Sequence, residues 1–310
     1  MKGIILAGGS GTRLAPSTHG VNKHLLAVYD KPMIYYPLSV LMLGGIRDIL
    51  IISTADDIPR FQKVLGDGSA FGIRLHYMEQ ADPNGIPEAF ILAEDFIGYD
   101  DVTLILGDNI FYGQGFTSLF RKALKNHQHA TIFGSRVKDP ERFGVIAFDD
   151  NQKVISLEEK PEDPKSDFAA AGLYIYDYRA VQIAKQLPYS GRGETEITDL
   201  NREYLKWHQL EVQLLGRGFA WMDAGTHEAL FEAAEFVKIT QQRQGFKIAC
   251  LEEIAYYMGY ISRETLRQKG ESMKKTDYGQ YLIEIANRKH TEQYWETIDK
   301  NPILELVQNE

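Results

Sequence analysis

A chain of 310 residues, 44% hydrophobic and 25% charged, is long enough to bury a large core and has the composition of an ordinary globular protein. Its net charge of −9 excludes a surface built to hold nucleic acid or an anionic membrane, so any polyphosphate ligand has to be held by local cations. One cysteine, Cys250, excludes an internal disulfide and points to a reducing, cytoplasmic setting, and no apolar run suits a signal peptide or a membrane span.

In chain order, Lys2 to Ala7 predicts a short buried strand running straight into Gly8-Gly9-Ser10-Gly11-Thr12-Arg13-Leu14, with Lys23 further on. A strand that stops at a glycine cluster frees backbone N–H groups to point at one place, which suits phosphate. Arg13 and Lys23 add fixed positive charge, suiting a triphosphate or a departing pyrophosphate. The glycines alone would equally suit a surface turn. A dinucleotide fingerprint needs a third glycine where Leu14 stands, and a P-loop needs Gly-Lys-Ser/Thr, which is absent.

Pro32 to Leu43 has helical spacing closed by Gly44-Gly45, and Ile49 to Ile52 is an unbroken apolar run, as in a strand covered on both faces. Asp56 to Leu65 predicts a helix, Ile73, Leu75 and Tyr77 a strand, Glu88 to Phe96 a helix, and Val102 to Leu106 a buried strand. This alternation predicts an α/β fold: a Rossmann-like, mostly parallel sheet flanked by helices. After Ala130 the strands crowd together at 131–133, 144–148 and 154–157, the last two joined by Asp149-Asp150-Asn151-Gln152, predicting a small β subdomain. Helices follow at 178–187 and 196–206, a strand at 211–215, and a long helix at 226–242 that ends at Gly245. The chain thus divides into a core of 1–245, in halves of about 1–130 and 131–245, and a helical extension of 246–310.

Two carboxylates stand out. Asp108 lies just past a buried strand, where open α/β sheets place their ligands, although it would equally cap a turn. Asp223, in Trp221-Met222-Asp223-Ala224-Gly225-Thr226, equally suits a helix N-terminus. Together with substrate phosphates, such a pair is what Mg²⁺ prefers. Leu157-Glu158-Glu159-Lys160-Pro161 ends a strand in a charged run that a solvated hairpin would also show. His127 and His129 read as solvated residues at a helix end, and no histidine spacing or nucleophile arrangement suggests zinc or covalent catalysis.

Leu6-Ala7-Gly8-Gly9-Ser10-Gly11-Thr12-Arg13-Leu14, Asn22-Lys23-His24-Leu25-Leu26 and Val28-Tyr29-Asp30-Lys31-Pro32-Met33-Ile34-Tyr35-Tyr36-Pro37-Leu38 resemble the sugar-nucleotide pyrophosphorylases. Within that family the chain looks most like the glucose-1-phosphate thymidylyltransferases. The resemblance implies a GT-A-like nucleotidyltransferase fold and a Mg²⁺-dependent reaction of dTTP with glucose 1-phosphate, or a related hexose 1-phosphate. The products would be a dTDP-sugar and pyrophosphate, supplying deoxysugars such as dTDP-rhamnose for polysaccharide. It implies a nucleotide site of Leu6, Gly8, Gly9, Gly11, Thr12, Arg13, Gln80, Gly85 and Asp108, where the Gln80 amide pairs with the imide edge of thymine or uracil. The sugar phosphate would meet Asn109, Phe143, Gly144, Glu159, Lys160, Ala170, Gly172 and Trp221, with Glu159 accepting from sugar hydroxyls. Arg13, Lys23 and Lys160 would be catalytic, and Asp108 and Asp223 would be the magnesium ligands. A homotetramer is implied too, with a second nucleotide site around Tyr112, Gly113, Gly216, Arg217 and residues 250–254.

The chain departs from the family in places. The usual Lys-Gln-Leu-Leu-Pro is Lys23-His24-Leu25-Leu26-Ala27, and the common Leu-Ala-Gln-Ala after Gly85 is Ile86-Pro87-Glu88-Ala89. A usual tyrosine is Phe143, and usual threonines are Ala171 and Ala224. Phe143 and Ala171 each remove a hydroxyl near the expected hexose, which opens the sugar's identity, and UTP could replace dTTP. A glycosyltransferase on a similar fold would show Asp-x-Asp, which Gly107-Asp108-Asn109 does not match. A nucleotide-sugar sensor should have lost its catalytic charges, yet Arg13, Lys23, Asp108, Lys160 and Asp223 all remain.

Overall fold

The computed structural model describes residues 1–9 and 11–288, so Ser10 and the last part of the 246–310 extension lie outside the described residues. Strand β1 (Lys2–Leu6) leads through two short ribbon strands, β2 (Ala27–Val28) and β3 (Lys31–Pro32), to α1 (Tyr35–Leu43). There follow β4 (Asp48–Ser53), α2 (Ile58–Leu65), β5 (Arg74–Glu79), α3 (Glu88–Leu92), α4 (Glu94–Ile97), β6 (Val102–Leu106), β7 (Asn109–Tyr112) and α5 (Phe116–Asn126). The second half adds β8 (Ala130–Arg136), β9 (Gly144–Phe148), β10 (Val154–Glu159), β11 (Phe168–Tyr176), α6 (Ala180–Ala184), α7 (Ile197–Lys206), β12 (Leu210–Leu215), β13 (Ala220–Asp223) and α8 (His227–Gln244). The extension contributes α9 (Leu251–Tyr257), α10 (Arg263–Ser272) and α11 (Asp277–Asn287).

One nine-stranded sheet runs through both halves. β5, β4, β1 and β6 are parallel, β11 lies antiparallel against β6, and beyond it β8 and β12 point the same way as β6. The first half of β11 also carries the β9–β10 hairpin, through the pairing of Ala169 with Val145. The carboxyl ends of the parallel strands and the beginning of β11 therefore meet at one edge of the sheet, where open α/β sheets bind ligands.

Burial follows the pleat. Ile5, Ile49, Ile51, Ile105, Leu173 and Ile175 face one core with α1, α5 and α9. Their neighbours Ile4, Leu50, Ile52, Leu104, Tyr174 and Tyr176 face a second core with α3, α6 and α7. Strands buried on both faces explain the unbroken apolar runs. α8 begins as expected, with the Thr226 hydroxyl accepting from Ala229 N at 3.2 Å, and ends at Gly245 in the left-handed region.

The structure corrects several readings. The expected 88–96 helix is broken at Ala93 into α3 and α4, and the helix expected over 178–187 is only α6. β11 was not expected, because Phe168-Ala169-Ala170-Ala171-Gly172 is rich in residues that favour other conformations. The His127 side chain is 1% exposed, and its ring nitrogens have no hydrogen-bond partner among the described residues, with burial pushing its pKa down. Cys250 is buried. Among the described residues no helix is long and apolar enough to cross a membrane.

Candidate active site

The loop after β1 is tied down from below. Asn22 is buried; its Nδ2 donates to Ala7 O at 3.3 Å and to Asp57 Oδ2 at 2.8 Å, while its Oδ1 accepts from His24 N at 2.9 Å. His24 Nδ1 lies 2.7 Å from the same Oδ1, and burial, with Lys23 beside it, pushes the ring pKa down to about 3. The ring is therefore neutral and donates from Nδ1. Leu6 closes β1, Thr12 and Arg13 form a 3₁₀ turn after Gly8, Gly9 and Gly11, and Lys23 opens another.

Lys23 reaches the end of β6, where its Nζ lies 2.5 Å from Asp108 Oδ2 with both side chains largely buried. Burial alone would raise the Asp108 carboxyl, but the Lys23 charge and hydrogen bond, with the Asn109 amide and the other neighbours, together hold the pKa below the usual range. β7 and β13 form an antiparallel ribbon that pairs Asn109 with Asp223, and Ala224 N donates to Asp108 O at 2.9 Å. The two carboxylates thus converge from remote parts of the chain. Burial, and then the neighbouring Asp108, push Asp223 up to about 6, against Lys23, Arg13 and Arg142. The Arg13 guanidinium and Asp223 carboxylate both crowd Gly225, where a Cβ would stand 2.9 Å from Nη2 and 3.0 Å from Oδ1.

A cavity of about 450 Å³ opens at this point. Arg13, Asp108, Asn109, Phe143, Gly144, Glu159, Lys160, Ala170, Gly172, Trp221 and Asp223 all wall it. Asn109 is its strut: Oδ1 accepts from Trp221 Nε1 at 2.6 Å and from Gly172 N at 3.2 Å, and Nδ2 donates to Asp108 Oδ1 at 3.0 Å. Phe143 packs on Trp221 with ring centres 5.1 Å apart. Glu159 ends β10, and its Oε2 accepts from Thr198 Oγ1 at 2.5 Å while Arg192 Nη2 reaches Oε1 at 3.4 Å. Lys160 follows with φ 44°, a conformation that a non-glycine residue holds only when its surroundings impose it. Here Lys160 N donates to Phe143 O at 3.0 Å, and its Nζ is 3.9 Å from Glu159 Oε1.

Sequence reasoning missed Arg142, Arg192 and Thr198, together with the apolar wall of Ile86, Leu106, Tyr174 and Ile197. Arg142 stands next to Phe143 and could have been found from it. Thr198 and Arg192 carry no periodic signal. Ala171 is a correction: it is fully buried in the core shared with Ile105 and Leu173, on the other side of β11 from Ala170 and Gly172. Its missing hydroxyl is not a loss to the cavity, and Ala224 is likewise packed in a core with Val28 and Ile110.

Gln80, Gly85, Tyr112, Gly113, Gly216 and Arg217 do not line this cavity. Buried Gln80 follows β5, and a Cβ at Gly8 would stand 2.8 Å from its Oε1. Gly85 has φ 112° and bridges Thr195, leaving no room for a side chain. Tyr112 and Gly113 line a separate cavity of about 600 Å³, and the Tyr112 hydroxyl donates to Gln244 Oε1 at 2.8 Å; Gly216 and Arg217, in the turn after β12, do not line it, although Gly218 does. Among the described residues no cluster of three or more His, Cys, Asp or Glu could hold a metal. Asp108 with Asp223 is the donor set that fits one: two carboxylates, one disfavoured as an anion by the other, suit a hard cation that also takes phosphate oxygens.

The comparisons agree with this architecture. The profile of the nucleotidyl transferase family matches residues 2–240, and the chain belongs to that family. It is 59% identical over 288 residues to a Neisseria gonorrhoeae protein named glucose-1-phosphate thymidylyltransferase, covering 93% of this chain and 100% of the relative. A Mycolicibacterium smegmatis protein of the same name is 49% identical, again with 93% and 100% covered. A crystal structure from Bacillus anthracis, assigned as a glucose-1-phosphate thymidylyltransferase and solved with sucrose, is similar at TM-score 0.71 and 42% identity, covering 76% of this chain and 94% of that one. A UDP-glucose pyrophosphorylase complexed with UDP-glucose superposes at TM-score 0.68 and 22% identity, over 77% and 98% of the two chains, a likeness of fold alone.

Proposed function

We propose that this nucleotidyltransferase passes the thymidylyl group of dTTP to α-D-glucose 1-phosphate, or to a related hexose 1-phosphate, releasing pyrophosphate. The names of its relatives support the reading, and one observation carries it. Cations suited to a triphosphate (Arg13), a carboxylate pair (Asp108, Asp223) and acceptors and cations suited to a sugar phosphate (Glu159, Lys160) wall the same cavity. The attacking group is a phosphate oxygen that is already anionic, so no general base is required. Catalysis is then alignment and charge stabilisation.

Lys160, at its constrained strand end, seats the sugar phosphate for in-line attack on the α-phosphorus, and Glu159 accepts from the sugar hydroxyls. Arg13 meets the charge that grows on the departing pyrophosphate, and Lys23 keeps Asp108 ionised. Asp108 and Asp223 would hold Mg²⁺, which when bound neutralises charge on the nucleotide phosphates. A second reading, a modified hexose phosphate, is favoured by Phe143, whose ring offers the cavity wall no hydroxyl beside Trp221. UTP in place of dTTP is the nearest alternative for the nucleotide. Residues 1–245 serve as the catalytic core and the extension from 246 as the oligomer contact of a cytoplasmic homotetramer, with a second, inhibitory nucleotide near Tyr112 and Gly113. The product would feed deoxysugar biosynthesis.

The test is pyrophosphate release from dTTP, glucose 1-phosphate and Mg²⁺, with no-sugar and chelator controls. Chelator-sensitive release is expected. Silence from folded protein across a panel of hexose phosphates with dTTP and UTP would overturn the proposal in favour of a sensor.

A further inference from the structure

We propose that Glu88 is a positioning residue that dictates which pyrimidine edge Gln80 can recognise; this rests on the reading above that Gln80 faces the base. Gln80 Nε2 donates to Glu88 Oε2 at 2.6 Å, and Asn84 Nδ2 donates to Glu88 Oε1 at 2.8 Å. A carboxylate only accepts hydrogen bonds, so Glu88 admits the NH₂ end of the Gln80 amide and excludes its oxygen. The other end is thereby fixed. Oε1 looks onto the glycine-rich loop, on the side left open because Gly8 has no Cβ.

The clamp is itself anchored. Glu88 is the first residue of α3, after Pro87. Asn84 belongs to the turn that Thr195 holds, with Thr195 N donating to Asn84 O at 2.8 Å and its hydroxyl donating to the same oxygen at 3.0 Å. Glu88 thus joins the end of β5, the Gly85 turn and the start of α3. The glutamine common in the family at this position carries both a donor and an acceptor, and would not impose one orientation on its neighbour. Glutamate does.

The consequence is a selection rule. Gln80 presents Oε1 as an acceptor and its second Nε2 hydrogen as a donor. Thymine and uracil offer the complement, an N3 hydrogen beside the O4 carbonyl. Cytosine offers a bare N3 lone pair beside an amino group, which opposes like to like at both positions. Turning the amide over to suit cytosine would set Gln80 Oε1 against the Glu88 carboxylate. Glu88 therefore enforces rejection of cytosine and is indifferent to the 5-methyl group, which lies off this edge.

The test is calorimetric binding of dTTP, dUTP and dCTP to wild type, Glu88→Ala, Glu88→Gln and Gln80→Ala, with melting curves to establish folding. Glu88→Ala is expected to cut the dCTP-to-dTTP ratio of Kd by about 10- to 100-fold, the range for a hydrogen bond to a charged group. Glu88→Gln should give a smaller cut, and the dUTP-to-dTTP ratio should hold in both. If both Glu88 variants keep the wild-type ratio while Gln80→Ala loses it, the role of Glu88 is refuted and base reading by Gln80 stands. If Gln80→Ala also keeps the ratio, that reading fails and takes this inference with it. A parallel fall in both ratios would mean a loosened pocket and would likewise overturn it. Should Glu88→Ala not fold, the nearly isosteric Glu88→Gln decides.

Discussion

Asp223→Asn should make the protein more stable and much less active. Asp223 is largely buried, and Asp108 converges on it across the β7–β13 ribbon, so its pKa rises from 3.8 to about 6. At about 1.4 kcal/mol per tenfold change in proton affinity, the folded state forfeits up to about 3 kcal/mol by ionising Asp223 at neutral pH. The sign follows from linkage. Below about pH 3.8 the carboxyl is protonated in both folded and unfolded chains and costs nothing. As pH rises through about 6 the unfolded chain has already released the proton, and the folded chain must release it at a cost. Asparagine has no proton to lose. Urea denaturation without nucleotide or metal should therefore show variant and wild type alike near pH 4 and the variant ahead by up to about 3 kcal/mol at pH 8. Turnover should fall about 100-fold or more, since one preorganised charge partner is gone. An equal gain at pH 4 and pH 8, or no gain at all, would refute the electrostatic reasoning, and near-wild-type turnover in Mg²⁺ would sink the metal assignment.

Three other substitutions test separate parts of the structure. Glu253 is 4% exposed and pushed up to about 7 by burial, so wild-type stability should decline between about pH 4.5 and 7. Glu253→Gln, whose Oε1 can still accept from the Tyr281 hydroxyl, should remove up to about 3 kcal/mol of that decline in pH-dependent melts. Gly85→Ala would put a Cβ 2.0 Å from Thr195 O at φ 112°; denaturation should reveal a loss of about 2 kcal/mol or more, with weakened dTTP binding. Unchanged stability and affinity would show that the turn yields easily. Phe143→Tyr adds a hydroxyl to the cavity wall and should raise kcat/KM for glucose 1-phosphate over a deoxy analogue on the order of tenfold. No change in that ratio would place the reacting sugar elsewhere in the cavity.

The parts of this fold that could be read from sequence are those where local chemistry and tertiary position agree. β6 and β9 fall on their expected residues, because buried apolar runs bounded by charge or glycine have few alternatives. The glycine-rich loop could be placed because a strand precedes it and cations follow. The first half of β11 could not: Phe168 to Gly172 favours no strand, and only its long-range pairing with β8 and β9 makes it one. The same blindness to facing misjudged Ala171, since a one-residue step along a strand exchanges pocket for core. Asp108 and Asp223 were legible singly, but their convergence depends on the β7–β13 pairing, a long-range contact without a local signal. Arg192 and Thr198 depend in the same way on α7 and its approach lying over β10.

The β7–β13 ribbon also sets the time at which the cavity can be completed. A chain leaves the ribosome from its N-terminus, at about 5–20 residues per second, and the glycine-rich loop after β1 is therefore made early. The strand bearing Trp221 and Asp223 arrives only as the core nears completion, and with it the partner that orients Asn109 and the second carboxylate. A nascent or truncated chain lacking β13 has neither the indole that donates to Asn109 nor the Asp223 carboxylate. Because its wall is drawn from the two ends of the core, the cavity is complete only once Trp221 and Asp223 are in place beside Arg13.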